Sequence, residues 1–393
     1  MSTRAVVLAI ALSLATLAAA ADARAASPAP YSIIRTLQVL QEQVAHGNAA
    51  AQAAQPRLMA HIADEFLAAD SQVWKEPRNA HAAVTFLFSG GKPAVIRTIL
   101  EKGTMAAGVD TLIKGALAYG EGNDDLARQT LGKIDPRSLP PMLGGHLALV
   151  QASLLPEADN GKAGKLLDLA RLLVPGTLVE EAALRRQLFL LTGPENLDKF
   201  IFLARQYSRR YRTSIYADNF KQRLDAVARN LAKAGDIAAL GKFDAVLAEY
   251  PTAEQIGFYL AIAKTAIVEG KAVAARYAAE KASVLAGGHG QDGLRSNLYA
   301  AAALVASDDA GKGLKTLQAI DRSKLSPEDA ELQDAALTVA AGVRAEPTVG
   351  GSPPAMKPGI STGSPPDNQS LAVLDEAQAA VVGADKLLQD KAQ

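Results

Sequence analysis

Helix boundaries recur through most of this sequence, and their spacing limits the folds that the chain can adopt. From residue 31 to residue 344, prolines, glycines and capping residues interrupt the sequence about every 10 to 18 residues. Residues 93–103, PAVIRTILEKG, illustrate one unit, in which Pro93 suits a first helical turn and Gly103 can end the helix. The apolar positions between them recur at three- and four-residue intervals: Val95, Ile96, Ile99 and Leu100. The pattern predicts a series of short amphipathic helices.

Composition favours helix over sheet along the whole chain. Of the 393 residues, 49 % are hydrophobic and only 5 % are aromatic, and the hydrophobic residues are mostly alanine and leucine. Alanine and leucine are strong helix formers, whereas β-branched and aromatic residues favour strands. The sequence therefore predicts an all-α protein.

Cap signals and an internal repeat indicate how the helices are connected. Residues typical of helix starts follow short turns at several places: Asn79 after Pro77, Thr177 with Glu180, Thr252 with Gln255, and Ser326 before Pro327. The segment TLGKIDPRSL at 130–139 aligns without gaps with TLQAIDRSKL at 316–325. Small residues upstream of each copy allow paired helices to approach closely, as in tetratricopeptide repeats. We therefore expect residues 31–344 to form stacked antiparallel helical hairpins, a tetratricopeptide-like α-solenoid.

Both ends of the chain differ from this helical region. Residues 1–23 place Arg4 before an apolar run and end in small residues that fit an A-x-A cleavage site, which predicts a secretory signal peptide. The alternative is an uncleaved membrane anchor, but the run is shorter than the roughly 20 residues that span a bilayer. Residues 345–369 are rich in Pro, Gly and Ser, which predicts a disordered, flexible linker. Residues 370–393 are expected to form a short terminal helix.

Cysteine usage and charge restrict the classes of function. The chain contains no cysteine, so an exported form would use no disulfide, and thiol catalysis and cysteine-ligated metals are excluded. Lysine plus arginine (41) equals aspartate plus glutamate (41), which leaves no net charge to recruit nucleic acid. Any electrostatic site must therefore be local.

Short motifs that resemble nucleotide-binding or metal-binding sites occur in the sequence, but the residues around them do not fit those functions. Residues 288–293, GHGQDG, match a dinucleotide-binding pattern but follow the end of an alanine-rich helix, where the pattern requires a strand. Residues 90–92, Gly-Gly-Lys, precede Pro93, where a phosphate loop needs Ser or Thr. The five histidines are dispersed and none lies at metal-binding spacing, and His81 has no nucleophile nearby. We therefore expect no catalytic residue, cofactor or metal.

One local cluster of charge does stand out, at residues 204–223, ARQYSRRYRTSIYADNFKQR. Arginine and tyrosine alternate in it, and these side chains commonly anchor protein contacts. The candidate contact residues are Arg205, Tyr207, Arg209, Arg210, Tyr211 and Arg212. The structural alternative is that the arginines complement a helix C-terminus while the aromatic rings fill the space between helices.

Three segments of the chain resemble the MotC family of periplasmic motility proteins of bacterial flagellar motors. They are PYSIIRTLQVLQEQVAHGNAAA near the start, WKEPRNAHAAVTFLFSGGKP at 74–93 and VPGTLVEEAALRRQLFLL at 174–191. The similarity covers roughly residues 30 to 345, and PRNAHAAVTFLFSGG and PGTLVEEAALRR are its most specific parts. The linker and terminal helix fall outside it.

The resemblance implies a non-enzymatic periplasmic protein that binds the periplasmic part of the stator subunit MotB and supports motor rotation. It carries over no binding motif at residue level, so the contact residues above depend on composition alone. Two other functions stay open: a tetratricopeptide-like periplasmic scaffold in envelope or peptidoglycan assembly, and a hydrolase of cell-wall polymer. The second is suggested by the compartment only.

Overall fold

A computed structural model of the chain describes residues 28–103, 105–305 and 307–344, and in these ranges the regular structure is entirely helical. The predicted signal peptide (1–23), linker (345–369) and terminal helix (370–393) lie outside the described residues. The helices are α1 (Pro30–Ala45), α2 (Ala49–Ala68), α3 (Pro77–Phe88), α4 (Pro93–Lys102), α5 (Asp110–Gly120), α6 (Asp124–Leu131), α7 (Pro141–Leu154), α8 (Asn160–Leu173), α9 (Leu178–Leu190), α10 (Leu197–Tyr211), α11 (Ala217–Ala234), α12 (Ile237–Leu247), α13 (Thr252–Val268), α14 (Ala272–Ala286), α15 (Gly290–Leu304), α16 (Ala310–Ala319) and α17 (Pro327–Arg344). Within the described ranges, none of them is long and apolar enough to cross a membrane.

Several predicted helix starts are confirmed at the level of individual hydrogen bonds. Pro93 occupies the first turn of α4. The Thr177 hydroxyl accepts the backbone N–H of Glu180 at 3.3 Å, as a capping residue does at the start of α9. Ser326 accepts the N–H of Asp329 in the same way at the start of α17. Local sequence therefore determines where these helices begin.

Two predicted caps are wrong, and proline is the reason in both cases. Asn79 does not cap α3, because the helix begins at Pro77 and its cap position is Glu76. Thr252 is likewise inside α13, which is preceded by Pro251. Proline holds the backbone angle of a first helical turn or of the residue just before it, so the helix starts earlier than the polar residue suggests.

Ion pairs between helices show how the elements are arranged. Asp198 pairs with Lys242 at 2.7 Å, and Arg205, seven residues further along α10, pairs with Glu249, seven residues beyond Lys242. Helices α10 and α12 therefore run in the same direction. Two pairs relate α11 and α13 in the same manner, Lys221–Glu254 and Lys233–Glu269. Helices two positions apart also pack on one another, as α1 does on α3, α11 on α13 and α13 on α15. We call the even-numbered and the odd-numbered helices the two layers of the array.

The buried residues form three clusters along this array, centred on α1–α7, on α7–α9 and on α9–α17. Trp74 lies in a 3₁₀ turn before α3 and is buried, with its ring edge-to-face against Phe66 at 5.1 Å. The array also folds back on itself, since α1 packs on α9 and the Thr213 hydroxyl donates to the carbonyl of His46 at 3.1 Å. The N-terminal hairpin thus supports the middle of the chain.

The internal repeat corresponds to a repeated structural device. Each copy ends a helix and continues into a 3₁₀ turn, at Pro136–Ser138 and at Arg322–Lys324. A buried glutamine from the following helix then donates to two carbonyls of the helix end. Gln151 bonds Leu131 and Ile134, and Gln333 bonds Leu317 and Ile320, all at 2.8 to 3.0 Å. The amide satisfies carbonyls that a helix terminus leaves without partners.

Candidate protein-contact surface

The arginine- and tyrosine-rich segment forms the second half of α10, a turn and the start of α11. Its two kinds of side chain separate onto opposite faces, because positions three and four apart share one face of a helix. Tyr207 and Tyr211 lie on the inner face and are fully buried. Arg205, Arg209 and Arg212 lie on the outer face, towards the end of α12. The predicted contact set is therefore divided between the core and the surface.

Tyr207 and Tyr211 bind two buried carboxylates at the start of α9. The Tyr211 hydroxyl donates to Glu180 Oε2 and the Tyr207 hydroxyl to Glu181 Oε1, each at 2.7 Å. Burial, reinforced by the neighbouring carboxylate, raises the pKa of both phenols well above the ordinary value, so both stay protonated as donors. For these two residues the structural alternative holds, and they are not available to a partner.

Glu180 is the more completely bonded of the two carboxylates. Besides Tyr211, it accepts hydrogen bonds from the backbone N–H of Gly176 at 2.5 Å, from Gln206 at 2.8 Å and from Arg210 at 2.7 Å. Arg210 is partly exposed, but its guanidinium forms an ion pair with the buried carboxylate of Glu180. Its guanidinium stabilises the junction of α9 and α10, so a role in binding would compete with that contact.

Glu181 has fewer donors. Its Oε1 accepts from Tyr207 and from Arg185 Nε at 3.1 Å, while its buried Oε2 has no hydrogen-bond partner among the described residues. A buried carboxylate is costly unless it is paired and hydrogen-bonded. The Glu180–Glu181 pair thus makes α9 and α10 depend on each other through a few specific bonds.

The outer face carries three guanidinium groups around one carboxylate. Arg205 and Arg209 bond Glu249 Oε1 at 3.2 and 2.7 Å, and Arg212 donates to the Glu249 carbonyl at 2.7 Å. The hydrogen bond from Arg209 holds the pKa of Glu249 below its usual value, so the carboxylate stays charged. Three positive charges against one negative leave an excess of positive charge at the surface.

Sequence reasoning missed an aromatic residue beside these arginines. Phe202 is 66 % exposed, an unusual state for so large an apolar side chain. It lies on the outer stripe of α10, four residues after Asp198, which pairs with α12, and three before Arg205, which pairs with the turn after α12. The helical spacing from Arg205 and Arg209 predicts that Phe202 lies on this face, but it does not predict that the ring is exposed. We call Phe202, Arg205, Arg209 and Arg212 the contact surface.

The contact surface combines an apolar ring with guanidinium groups already held in place by Glu249. Such a surface can bind a carboxylate-bearing protein segment that also covers Phe202. Among the described residues, no group of histidine, aspartate and glutamate side chains is arranged to hold a metal ion.

Comparison with known proteins identifies the family. The model of the family described as "Chemotaxis protein MotC" matches residues 1–393. The chain belongs to the MotC family. It is 33 % identical over 353 residues to the "Chemotaxis protein MotC" of Rhizobium meliloti (strain 1021), an alignment that covers 88 % of this chain and 79 % of that protein. No solved structure matches the chain.

Membership of the MotC family supports a role in motility, as the segment resemblance predicted. The segment PGTLVEEAALRR, on which that resemblance partly depends, contains Glu180, Glu181 and Arg185. In this MotC-family chain the segment therefore supplies the buried carboxylates that fix α10, and α10 in turn presents the contact surface. The link between the two is structural: the segment positions the surface without being part of it.

Proposed function

We propose that this MotC-family chain is a non-enzymatic periplasmic protein required for rotation of the flagellar motor, and that it binds the periplasmic part of the stator subunit MotB. Family membership supports the motility role, and the sequence of residues 1–23 supports export with cleavage of a signal peptide. The observation that carries the binding proposal is the contact surface, an exposed phenylalanine beside an excess of arginine charge.

We further propose that the array is of the tetratricopeptide type, a helical scaffold that presents one layer to a partner. The shared direction of α10 with α12 and of α11 with α13 supports this, as do alanine-lined helix contacts. Helix α14 packs on α13, and its buried residues are all alanines, which let helix axes approach closely: Ala274, Ala275, Ala278, Ala279 and Ala282. The contact surface belongs to the even-numbered layer of this scaffold.

The test is a binding titration of the mature chain with the purified periplasmic domain of MotB. Phe202→Ala should weaken binding by roughly 30-fold, because an exposed aromatic anchor at an interface typically contributes about 2 kcal/mol. Replacing Arg205 and Arg209 by Glu should slow association and reduce its dependence on salt. Arg210 is left unchanged, since Glu at that position would face the buried carboxylate of Glu180.

Arg57→Glu is the matched control, because Arg57 is an exposed arginine on α2 without a described ion pair. It should bind MotB normally, and every variant should keep the helical circular dichroism of the parent. In cells, deletion of the gene should leave flagella assembled but abolish swimming. Normal affinity for MotB in all variants, or normal swimming without the gene, would reject the proposal and favour a scaffold in envelope assembly.

A further inference from the structure

A second surface feature lies on the odd-numbered layer, away from the helices that carry the contact surface. It is a groove of about 330 Å³ with walls from α3, α5, α7, α9 and α11. Small-molecule sites in proteins commonly begin at about this volume. Phe88 from the segment at 74–93 and Arg185 and Arg186 from the segment at 174–191 meet in it. The two segments that contain the most specific parts of the family resemblance thus line one groove.

His146 on α7 is one of the residues that line the groove, and a buried nitrogen of its ring lacks a hydrogen-bond partner. The side chain is only 6 % exposed, and its Nε2 forms no hydrogen bond with any described residue. Burial lowers the pKa of His146 to about 4, so the ring is neutral at physiological pH. Buried polar atoms are nearly always hydrogen-bonded, and one without a partner calls for a physical explanation.

The charge of the groove has one sign. Arg185 and Arg186 line it, and no carboxylate does. Arg185 is held by Glu181 at 3.1 Å and stacks over the Tyr216 ring at 4.8 Å, which fixes its guanidinium. Arg186 is exposed and forms no ion pair with a described residue. Guanidinium groups prefer carboxylate and phosphate ligands, which they bind through two parallel hydrogen bonds.

The remaining walls are largely apolar and aromatic. The rings of Phe88 and Tyr119 meet edge-to-face with centroids 6.1 Å apart. Phe189 contributes a side chain that is 43 % exposed. A ligand that satisfied the arginines and filled this volume would therefore carry an apolar body next to its charge.

We infer that this groove is a binding site for a carboxylate carried on an aromatic or aliphatic body. The carboxylate accepts hydrogen bonds from Arg186 and Arg185, the apolar body lies against Phe88 and Phe189, and the Nε2 of His146 bonds a polar atom of the ligand. The shared chemistry has two sources, a free organic acid or the C-terminal residue of a peptide. The inference is independent of the MotB proposal, because the two surfaces use different helices.

The test is a titration of the mature chain, with its histidines isotopically labelled, followed by nuclear magnetic resonance. The probes are phenylacetate and N-acetyl-Gly-Gly-Phe with a free C-terminus, each paired with its uncharged amide. With five histidines in the sequence, the His146 ring signal can be assigned by its loss in His146→Gln. We expect a saturable shift of that signal with at least one carboxylate and not with its amide. Which of the two carboxylates binds identifies the source.

Arg186→Ala should weaken that binding about tenfold or more, as expected for loss of a charge-assisted hydrogen bond. Arg186 is exposed, so this variant does not depend on whether His146→Gln folds. Arg57→Ala on α2 is the matched control and should bind the probe normally. Absence of saturable binding by both carboxylates, equal binding of the amides, or unchanged affinity in Arg186→Ala would overturn the inference.

Discussion

Removing single phenol hydroxyls tests whether the buried carboxylates hold α9 and α10 together. Tyr207→Phe and Tyr211→Phe each delete one hydrogen bond of 2.7 Å to a buried carboxylate and leave the ring in place. A hydrogen bond to a charged group contributes about 1.5–3 kcal/mol to folding. The two variants should nevertheless differ, because the carboxylates have different numbers of other donors.

Glu181 keeps only Arg185 when Tyr207 loses its hydroxyl, and its second oxygen is already buried without a described partner. We therefore expect Tyr207→Phe to lower the free energy of unfolding by about 3 kcal/mol, the upper end of that range. Glu180 keeps three donors when Tyr211 loses its hydroxyl. Tyr211→Phe should thus cost about 1.5 kcal/mol, the lower end.

Urea unfolding followed by circular dichroism measures both values under the same conditions. Tyr250→Phe is the control, since the Tyr250 hydroxyl only accepts a long bond of 3.4 Å from Ser208. It should change stability by less than about 1 kcal/mol, the typical net contribution of a neutral hydrogen bond. The reverse order of Tyr207→Phe and Tyr211→Phe, or effects no larger than that of the control, would refute the reasoning.

Three further predictions concern the core. Burial lowers the pKa of His146 to about 4, below the value of the unfolded chain, so its contribution to stability is complete above pH 6.5. That contribution is lost as pH falls towards 4, by up to about 3 kcal/mol, and His146→Gln should remove this dependence from acid unfolding curves. Gln333→Leu should lower the free energy of unfolding by about 1–3 kcal/mol in urea titrations, because two helix-end carbonyls lose their donor. Gly91→Ala should lower the free energy of unfolding by about 1–3 kcal/mol in thermal unfolding, because the new methyl group would overlap the Phe86 ring. It should also shift the fluorescence emission of the single tryptophan. Gly161→Ala is the control, since Gly161 has open space around it, and it should change neither quantity.

The sequence predicted the all-α class, and the structure agrees in every described range. It located the repeat at 130–139 and 316–325 as two equivalent helix ends, but not the glutamines that fasten them, because Gln151 and Gln333 lie outside the aligned copies. For the candidate site the prediction named one segment of α10 but could not separate the buried face of that helix from its exposed face. The sequence predicts that Tyr207 is a contact residue, but in the structure it is buried in the core.

Local chemistry explains what the sequence determined by itself. Short-range hydrogen bonds and sterics decide the helix starts at Pro93 and Thr177, and these involve residues only a few positions apart. The helix periodicity and the excess of arginine at 204–223 can likewise be read from neighbouring residues. Only the tertiary structure decided which side chains are buried and which are exposed. Tyr211 bonds Glu180 across 31 positions, and Phe202 is exposed although its helix, α10, packs on α12. Those outcomes depend on how helices distant in the chain are stacked, which no local pattern specifies.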